Sequence, residues 1–358
     1  MQAATSITDR LTRAALSLVG ALNILFLLAF LATLLFAVER ASAAMPVCTG
    51  KDLLAEMAAE NPDEMARVRA EADEVPNGKG LLWRIDKAGA PPSFLFGTMH
   101  VSDPRVVTLG AAARRAFDGA RTLVIETTDV LDQSRMSAAM LERPELMMFT
   151  DDGTLTALLP EDERALVEAA LARRGLTLAS VQKMKPWIVS ALVSLPGCEL
   201  ARKNAGAPVL DIELAQKAEA AGKRVEGLET AISQLEAMAS LPMDLHIRGL
   251  VDTLMLGDRI DDIAETMVHI YTSGDTGLFW PFFESLLAAE SGDEAGYAAF
   301  QEAMIDVRNR RMADAATPIL DAGGAFVAVG ALHLAGEDGL VALLREKGYA
   351  LTPVEPAP

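Results

Sequence analysis

A long, uncharged and mostly apolar segment near the beginning of the chain decides on which side of a membrane the remainder is expected to lie. Residues 14–38 contain no charged side chain, and Arg10 and Arg13 precede them. A helix of about 20 apolar residues can cross the hydrocarbon layer of a membrane, and basic residues favour keeping its beginning in the cytoplasm. The segment therefore predicts that the rest of the chain is exported.

Two fates of this segment agree with the sequence. Ala41-Ser42-Ala43 has the small-x-small pattern after which signal peptidases cleave, whereas the length of the apolar run favours a retained membrane anchor. We therefore expect residues 1–44 to be either a signal peptide cleaved near Ala43 or a transmembrane helix anchored in the inner membrane. Both fates place the remaining residues outside the cytoplasm, in a periplasmic location.

Charge and cysteine content exclude several classes of function. The chain has 358 residues, with 50 Asp or Glu against 32 Lys or Arg and a formal net charge of −18. This charge repels phosphate backbones, so nucleic-acid binding is disfavoured. Cys48 and Cys198, the two cysteines, are too few for a cysteine-based zinc module. They can pair in an oxidising compartment, and two unpaired buried thiols are nearly as consistent with the sequence.

Hydrophobic patterning predicts an α/β domain over residues 80–354, after a polar helical lead-in at residues 45–79. Alternating apolar residues predict a β-hairpin formed by residues 80–87 and 93–97. Further strands are predicted at residues 121–126, 209–211, 224–228, 325–330 and 349–354. Residues 131–204 and 230–315 have mostly helical patterns, so we expect two large helical insertions into a sheet core.

Two histidines occupy equivalent places in the sequence. His100 follows Gly97 by three residues, His333 follows Gly330 by three residues, and each glycine ends an apolar strand. Ligands of α/β sheets bind beyond the carboxyl ends of the strands, so side chains on such turns point toward the usual site. We expect the sheet core to consist of two pseudo-repeated halves, each with one strand-Gly-x-x-His turn. Glu126, at the end of the strand that follows His100, then reaches the same crevice.

Two imidazoles and a carboxylate form a ligand set that suits a divalent metal. His100, Glu126 and His333 with open positions would suit Mn, Co, Zn or Fe, and such an ion lowers the pKa of a bound water toward neutrality. The same three side chains can instead act as acid and base in a metal-free hydrolytic reaction. A third interpretation is structural, with both histidines bonded to the backbone at strand ends.

Five segments, in this order, resemble successive motifs of the TraB/GumN family (TraB/PrgY/GumN). They are Phe94–His100, Val124–Thr127, Val225–Thr230 with Gln234, Arg308–Met312, and Val329–Gly339. The family includes the pheromone-shutdown TraB proteins and the animal Tiki proteins, which resemble metal-dependent proteases, and it is similar in fold to the erythromycin esterase and ChaN group. The resemblance implies an α/β domain with an active centre at His100, Glu126 and His333.

These observations together predict a TraB/GumN-like, metal-dependent hydrolase of the cell envelope that cleaves peptide or ester bonds. His100, Glu126 and His333 are the expected metal ligands and catalytic residues. Arg308 is expected to orient the substrate or stabilise an oxyanion, and Asn309 and Glu229 are candidate contacts to a peptide or small-molecule substrate. The alternatives are a non-catalytic envelope protein that binds a metal, haem or peptide, and a structural role in envelope assembly.

Overall fold

The computed structural model describes residues 46–288 and 294–354. The apolar segment at residues 14–38, and with it the choice between cleavage and anchoring, lies outside the described residues. Within the described ranges, no helix is long and apolar enough to cross a membrane.

A six-stranded mixed sheet forms the centre of the described structure. In chain order its strands are β1 (Leu82–Asp86), β2 (Ser93–Thr98), β3 (Thr122–Ile125), β4 (Arg224–Gly227), β5 (Ala325–Gly330) and β6 (Ala350–Pro353). Across the sheet the order is β4-β3-β5-β2-β1-β6. The first four strands in this order are parallel, whereas β1 is antiparallel to both β2 and β6.

Helices before and between the first strands belong to the sheet domain itself. They are α1 (Leu53–Glu60), α2 (Pro62–Glu74), α3 (Pro104–Val107) and α4 (Ala111–Gly119). The first helical insertion follows β3 and contains α5 (Gln133–Glu142), α6 (Leu155–Leu158), α7 (Arg164–Arg173), α8 (Leu178–Val181), α9 (Pro186–Val193) and α10 (Gly197–Asn204).

Helix α11 (Leu210–Ala220) leads into β4, and the second helical insertion follows that strand. It contains α12 (Ala231–Ala239), α13 (Met243–Leu256), α14 (Arg259–Ser273), α15 (Phe279–Ala288), α16 (Glu294–Gln301) and α17 (Val307–Ala322). Helix α18 (Leu340–Glu346) lies between β5 and β6. The predicted hairpin is confirmed, with Trp83 paired to Leu95.

One predicted strand is wrong. Residues 209–211 begin helix α11, for which Val209 is the extended N-cap residue. Asp211 and Glu213 lie in the first helical turn. Carboxylates are favourable there because they face the positive end of the helix dipole, so the acidic residues after Leu210 favour a helix start over a strand.

Apolar side chains of the strands alternate between the two faces of the sheet. Phe96, Leu123 and Phe326 pack on one face in a cluster that includes residues of α2, α4, α11, α14 and α15. Leu95 and Val327 pack on the other face with residues of α17 and α18. The sheet therefore has a helical layer on each face. A third cluster, built from α6 to α9 and α13, joins the two helical insertions.

A disulfide bond fixes the segment before α1. Cys48 and Cys198 are bonded with a Cα–Cα distance of 5.3 Å, so of the two interpretations of the cysteines the paired one is present. The backbone N–H of Lys51 donates to Asp262 at 2.7 Å, and that of Leu53 donates to Thr266 at 2.8 Å. The segment is thus attached to α10 covalently and to α14 by hydrogen bonds.

We expect the double variant Cys48→Ser, Cys198→Ser to fold with a lower free energy of unfolding. The disulfide joins residues 150 positions apart. Loss of so long a cross-link gives the unfolded chain more entropy and should cost about 2–5 kcal/mol. Urea unfolding of the oxidised wild type, the reduced wild type and the variant measures this difference. Equal midpoints for oxidised wild type and variant would contradict it.

Candidate active site

The two Gly-x-x-His turns leave the sheet side by side. Strands β2 and β5 are parallel neighbours, with Gly97 opposite Val329 and Thr98 opposite Gly330. Both turns therefore emerge at the same edge, beyond the carboxyl ends of the strands. This parallel pairing is sufficient to bring His100 and His333 together, so the pseudo-repeat of two halves stays a prediction.

Glu126 lies between the two imidazoles. It directly follows β3, which pairs with β5 on the side away from β2. Its Oε1 is 3.8 Å from Nε2 of His100 and 3.8 Å from Nε2 of His333. The backbone N–H of Gly330 donates to the same oxygen at 2.8 Å. A Cβ atom on residue 330 would lie only 3.2 Å from Oε1 of Glu126, so glycine permits this close approach.

Each imidazole is held through Nδ1 by a buried polar side chain. His100 Nδ1 lies 2.8 Å from Oδ2 of Asp211, whose Oδ1 accepts a hydrogen bond from the Thr98 hydroxyl at 2.7 Å. His333 Nδ1 lies 2.7 Å from the amide oxygen of Asn309. Because both partners are acceptors, the hydrogen-bond network assigns a proton to each Nδ1. Both Nε2 atoms face Glu126.

A buried guanidinium occupies the other side of Glu126. Nη2 of Arg308 lies 2.7 Å from Oε2 of Glu126 and 2.8 Å from Oε2 of Glu229. The side-chain amide of Gln234 donates to Oε2 of Glu126 at 3.0 Å. A further Arg308 nitrogen, Nη1, donates to the carbonyl of Met304. Arg308 thus compensates two carboxylates that would be costly to bury alone.

The two histidines differ in exposure and in pKa. The His333 side chain is 5% exposed, and its burial lowers the pKa to about 4. The His100 side chain is 58% exposed. Partial desolvation acts to lower the pKa of His100, but the hydrogen bond to Asp211 and the charges of Asp211 and Glu126 outweigh it and raise the pKa to about 9.

Glu126 is ionised at neutral pH. Its burial acts to raise the pKa, but the positive charges that His333, His100 and Arg308 can carry, together with the Gly330 N–H, lower the pKa to about 2. At pH 7 the ionised Glu126 therefore faces a neutral His333 and a protonated His100. A metal ion that binds Nε2 of His100 has to displace the proton of that nitrogen.

All six residues predicted for the site lie together in the structure. His100, Glu126 and His333 form the central group, and the other three have buried side chains that contact this group directly or through one another. Asn309 is completely buried and contacts His333, and Glu229 has a side chain only 3% exposed that contacts Arg308. Arg308 itself is directed at protein carboxylates. In the described geometry these three support the central residues, and the substrate contacts expected of them stay predictions.

Two supporting residues, Asp211 and Thr98, differ in how clearly the sequence indicates them. Asp211 is one of many acidic residues, and its assignment to a strand hides its place at a helix start. Thr98 has a usable signal, because period-two alternation puts it on the same face of β2 as Phe94 and Phe96. A polar residue on a buried strand face must find a partner, and Thr98 finds Asp211.

The three central residues are of types that bind divalent metals, but their side chains do not have the geometry of a metal site as they stand. Within residues 46–288 and 294–354, no group of three or more His, Cys, Asp or Glu side chains has the geometry to hold an ion. Two ligands about 2.1 Å from an ion at the tetrahedral angle lie about 3.4 Å apart. The two Nε2–Oε1 distances of 3.8 Å exceed that spacing by a few tenths of an ångström. Small side-chain movements would close this difference.

Removal of the Arg308 charge should destabilise the protein strongly. Arg308→Met leaves the buried Glu229 without a counter-charge and leaves Glu126 with only the more distant imidazolium of His100, which should cost about 3–5 kcal/mol of unfolding free energy at neutral pH. Arg308→Lys should restore only part of it, because an ammonium cannot reproduce the planar guanidinium contacts.

Arg310→Met is the matched control for this measurement by urea unfolding. Arg310 lies on the same helix, α17, but its side chain is 45% exposed where it pairs with Glu302 and Asp338. Its loss should cost less than about 1 kcal/mol. Equal costs for the two methionine variants would show that Arg308 has no special electrostatic role.

Comparison with known proteins identifies a family and several relatives of this chain. The model of the TraB/PrgY/gumN family matches residues 81–353. Metalloprotease TIKI2 of Danio rerio is 25% identical over 325 residues, which cover 77% of this chain and 61% of the relative. Metalloprotease TIKI1 of Danio rerio is 25% identical over 335 residues, covering 81% of this chain and 66% of the relative.

The chain therefore spans less than two thirds of the length of these two curated relatives. No solved structure matches it. The family match includes the whole sheet, both Gly-x-x-His turns, Glu126 and Arg308, and the chain belongs to the TraB/PrgY/gumN family.

Proposed function

We propose that this protein is a metal-dependent hydrolase that cleaves peptide or ester bonds outside the cytoplasm. The observation that carries the proposal is the position of Oε1 of Glu126, 3.8 Å from Nε2 of both His100 and His333. The relatives named metalloproteases, at about a quarter identity, support hydrolysis as the class of reaction.

His100, His333 and Glu126 would hold the divalent ion, which we propose to be Mn, Co, Zn or Fe. When bound, such an ion polarises a carbonyl group and makes water a nucleophile at neutral pH. Asp211 and Asn309 fix the orientation of the imidazoles from Nδ1, as outer partners of ligating histidines commonly do. Arg308 and Gln234 hold the second oxygen of Glu126.

Exposure indicates the side from which a substrate approaches. His100 has a side chain that is 58% exposed, whereas Glu126 and His333 are nearly buried. A substrate carbonyl would therefore enter past His100. Glu126 and Arg308 are buried, and burial strengthens their electrostatic interaction because it reduces screening by solvent.

Two features support a periplasmic location. Residues 14–38 form an export segment by sequence, and the Cys48–Cys198 disulfide is of a kind that persists in oxidising compartments. Expression of the full chain in an exporting host, followed by fractionation and intact-mass measurement, tests this. A soluble product that begins after Ala43 would support cleavage, and an intact chain in the membrane fraction would support anchoring. An intact chain in the cytoplasm would contradict export.

Metal analysis tests the site. The full chain, expressed with its own N-terminal segment and recovered after export, should contain nearly one equivalent of Mn, Co, Zn or Fe by elemental analysis. The double variant His100→Ala, His333→Ala should lose this metal. His269→Ala is the matched control, because His269 lies on α14 with a side chain 54% exposed and should leave the metal unchanged.

A screen of fluorogenic peptides and esters then tests catalysis. Hydrolysis should disappear with a chelator and in His333→Ala, and should persist in His269→Ala. Metal binding without turnover of any substrate would favour a non-catalytic binding protein. A wild type that binds no metal even with excess ions would contradict the metal-dependent mechanism.

A further inference from the structure

We propose that Glu199 is a positioning residue of the candidate active site, which fixes His100 through Ser102. The inference deepens the proposed function, since it takes His100 to be a ligand. It concerns a buried cluster of one polar and three charged residues that the proposed chemistry does not otherwise use. Ser102, Asp103, Glu199 and Arg202 are each at most 5% exposed.

The carboxylate of Glu199 binds the turn two residues after His100. Its Oε1 accepts the backbone N–H of Ser102 at 2.8 Å and the Ser102 hydroxyl at 3.0 Å, and its Oε2 lies 3.0 Å from the same hydroxyl. Hydrogen bonds to an ionised acceptor are about twice as strong as neutral ones. One side chain from helix α10 therefore holds both the main chain and the side chain of Ser102.

Arg202 supplies positive charge to the two carboxylates of this cluster. Its Nη1 lies 3.2 Å from Oδ2 of Asp103 and 3.7 Å from Oε2 of Glu199. Asp103 is the N-cap of α3 and accepts the backbone N–H of Arg105 at 2.9 Å. The chain from His100 to the start of α3 is thus attached to α10 at two successive residues.

His100 needs such an attachment more than His333 does. Tight packing holds the His333 ring, whereas the His100 ring is more than half exposed and depends on its bond to Asp211 and on the backbone that carries it. Tyr271 donates from its hydroxyl to the carbonyl of Gly97 at 2.9 Å, at the beginning of the turn. Glu199 holds the other end. A ligand must stay within about 0.5 Å of its productive position, which requires a backbone fixed on both sides.

Helix α10 is itself well anchored for this purpose. Cys198, the residue before Glu199, is bonded to Cys48. The covalent bond restrains the first turn of the helix, where Glu199 lies. The Glu199 carboxylate can therefore act as a fixed point for the more exposed turn.

Nuclear magnetic resonance of the imidazole groups tests the proposal without any metal. The chain has four histidines, so selective labelling gives few signals, which single His→Ala variants assign. In the metal-free full chain, Glu199→Gln and Ser102→Ala should shift or broaden the Cε1–H signal of His100. The His333 signal should stay in place in both variants.

Titration with Co²⁺ alone, followed by visible absorbance, gives the second measurement. Loss of an outer partner of a metal ligand commonly lowers affinity about 10- to 100-fold, and we expect about tenfold for Glu199→Gln and less for Ser102→Ala, which keeps the backbone hydrogen bond. If Glu199→Gln does not fold, Ser102→Ala decides the question.

Two controls separate positioning from general destabilisation. Glu265→Gln removes an outer partner of Arg105 that does not contact Ser102, and Leu171→Ala weakens the core of the helical insertions. Both should leave the His100 signal as in the wild type.

An unchanged His100 signal in Glu199→Gln and Ser102→Ala, with only a lower unfolding midpoint, would overturn the proposal. Wild-type protein that binds no Co²⁺ would count against the metal site itself, and the metal-free His100 signal would still decide the role of Glu199.

Discussion

Parallel pairing of β2 with β5 is the constraint on which the site depends. With Thr98 opposite Gly330, the two strands end at the same level and their turns leave the sheet together. A slip by one residue would turn Thr98 to the opposite face, away from Asp211. The register is secured by side chains that are fully buried on both faces, among them Leu95 and Phe326. The packing of the sheet core therefore also sets the spacing of the two imidazoles.

Charge at this edge of the sheet is arranged around one buried carboxylate. Glu126 meets a guanidinium on one side and two imidazoles on the other. Glu126 and Glu229 contact the permanent cation of Arg308, and a third carboxylate, Asp211, contacts His100. An excess of negative charge in a partly buried crevice attracts cations, which supports the divalent ion of the proposed function. It also accounts for the raised pKa of His100, whose proton supplies positive charge in the metal-free protein.

Local patterning predicts much of this architecture, because each strand carries its own signal. Alternation and short apolar runs identify the hairpin and β3 to β6, and strand ends identify His100, Glu126 and His333. Asp211 has only a weak signal, because acidic residues are numerous in this chain and the apolar pair Val209-Leu210 suggests a strand, whereas the carboxylates that follow favour the helix start that the structure has. Asn309 is predicted as a site residue, but in the role of a substrate contact. The sequence does not distinguish a buried side chain that bonds to His333 from an exposed one.

The unequal surroundings of the two histidines connect the site with the compartment proposed for the protein. His333 lies within the core and is positioned by the end of β5 and by Asn309 of α17, without any contribution from the disulfide. His100 lies at the surface, and its turn is attached to α10, a helix whose first turn carries the disulfide to Cys48. On the proposed export route, the disulfide forms only after the chain has left the cytoplasm. The attachment of the His100 turn to α10 is then completed in the compartment where the protein meets its substrate. The part of the site around His333 does not depend on the disulfide.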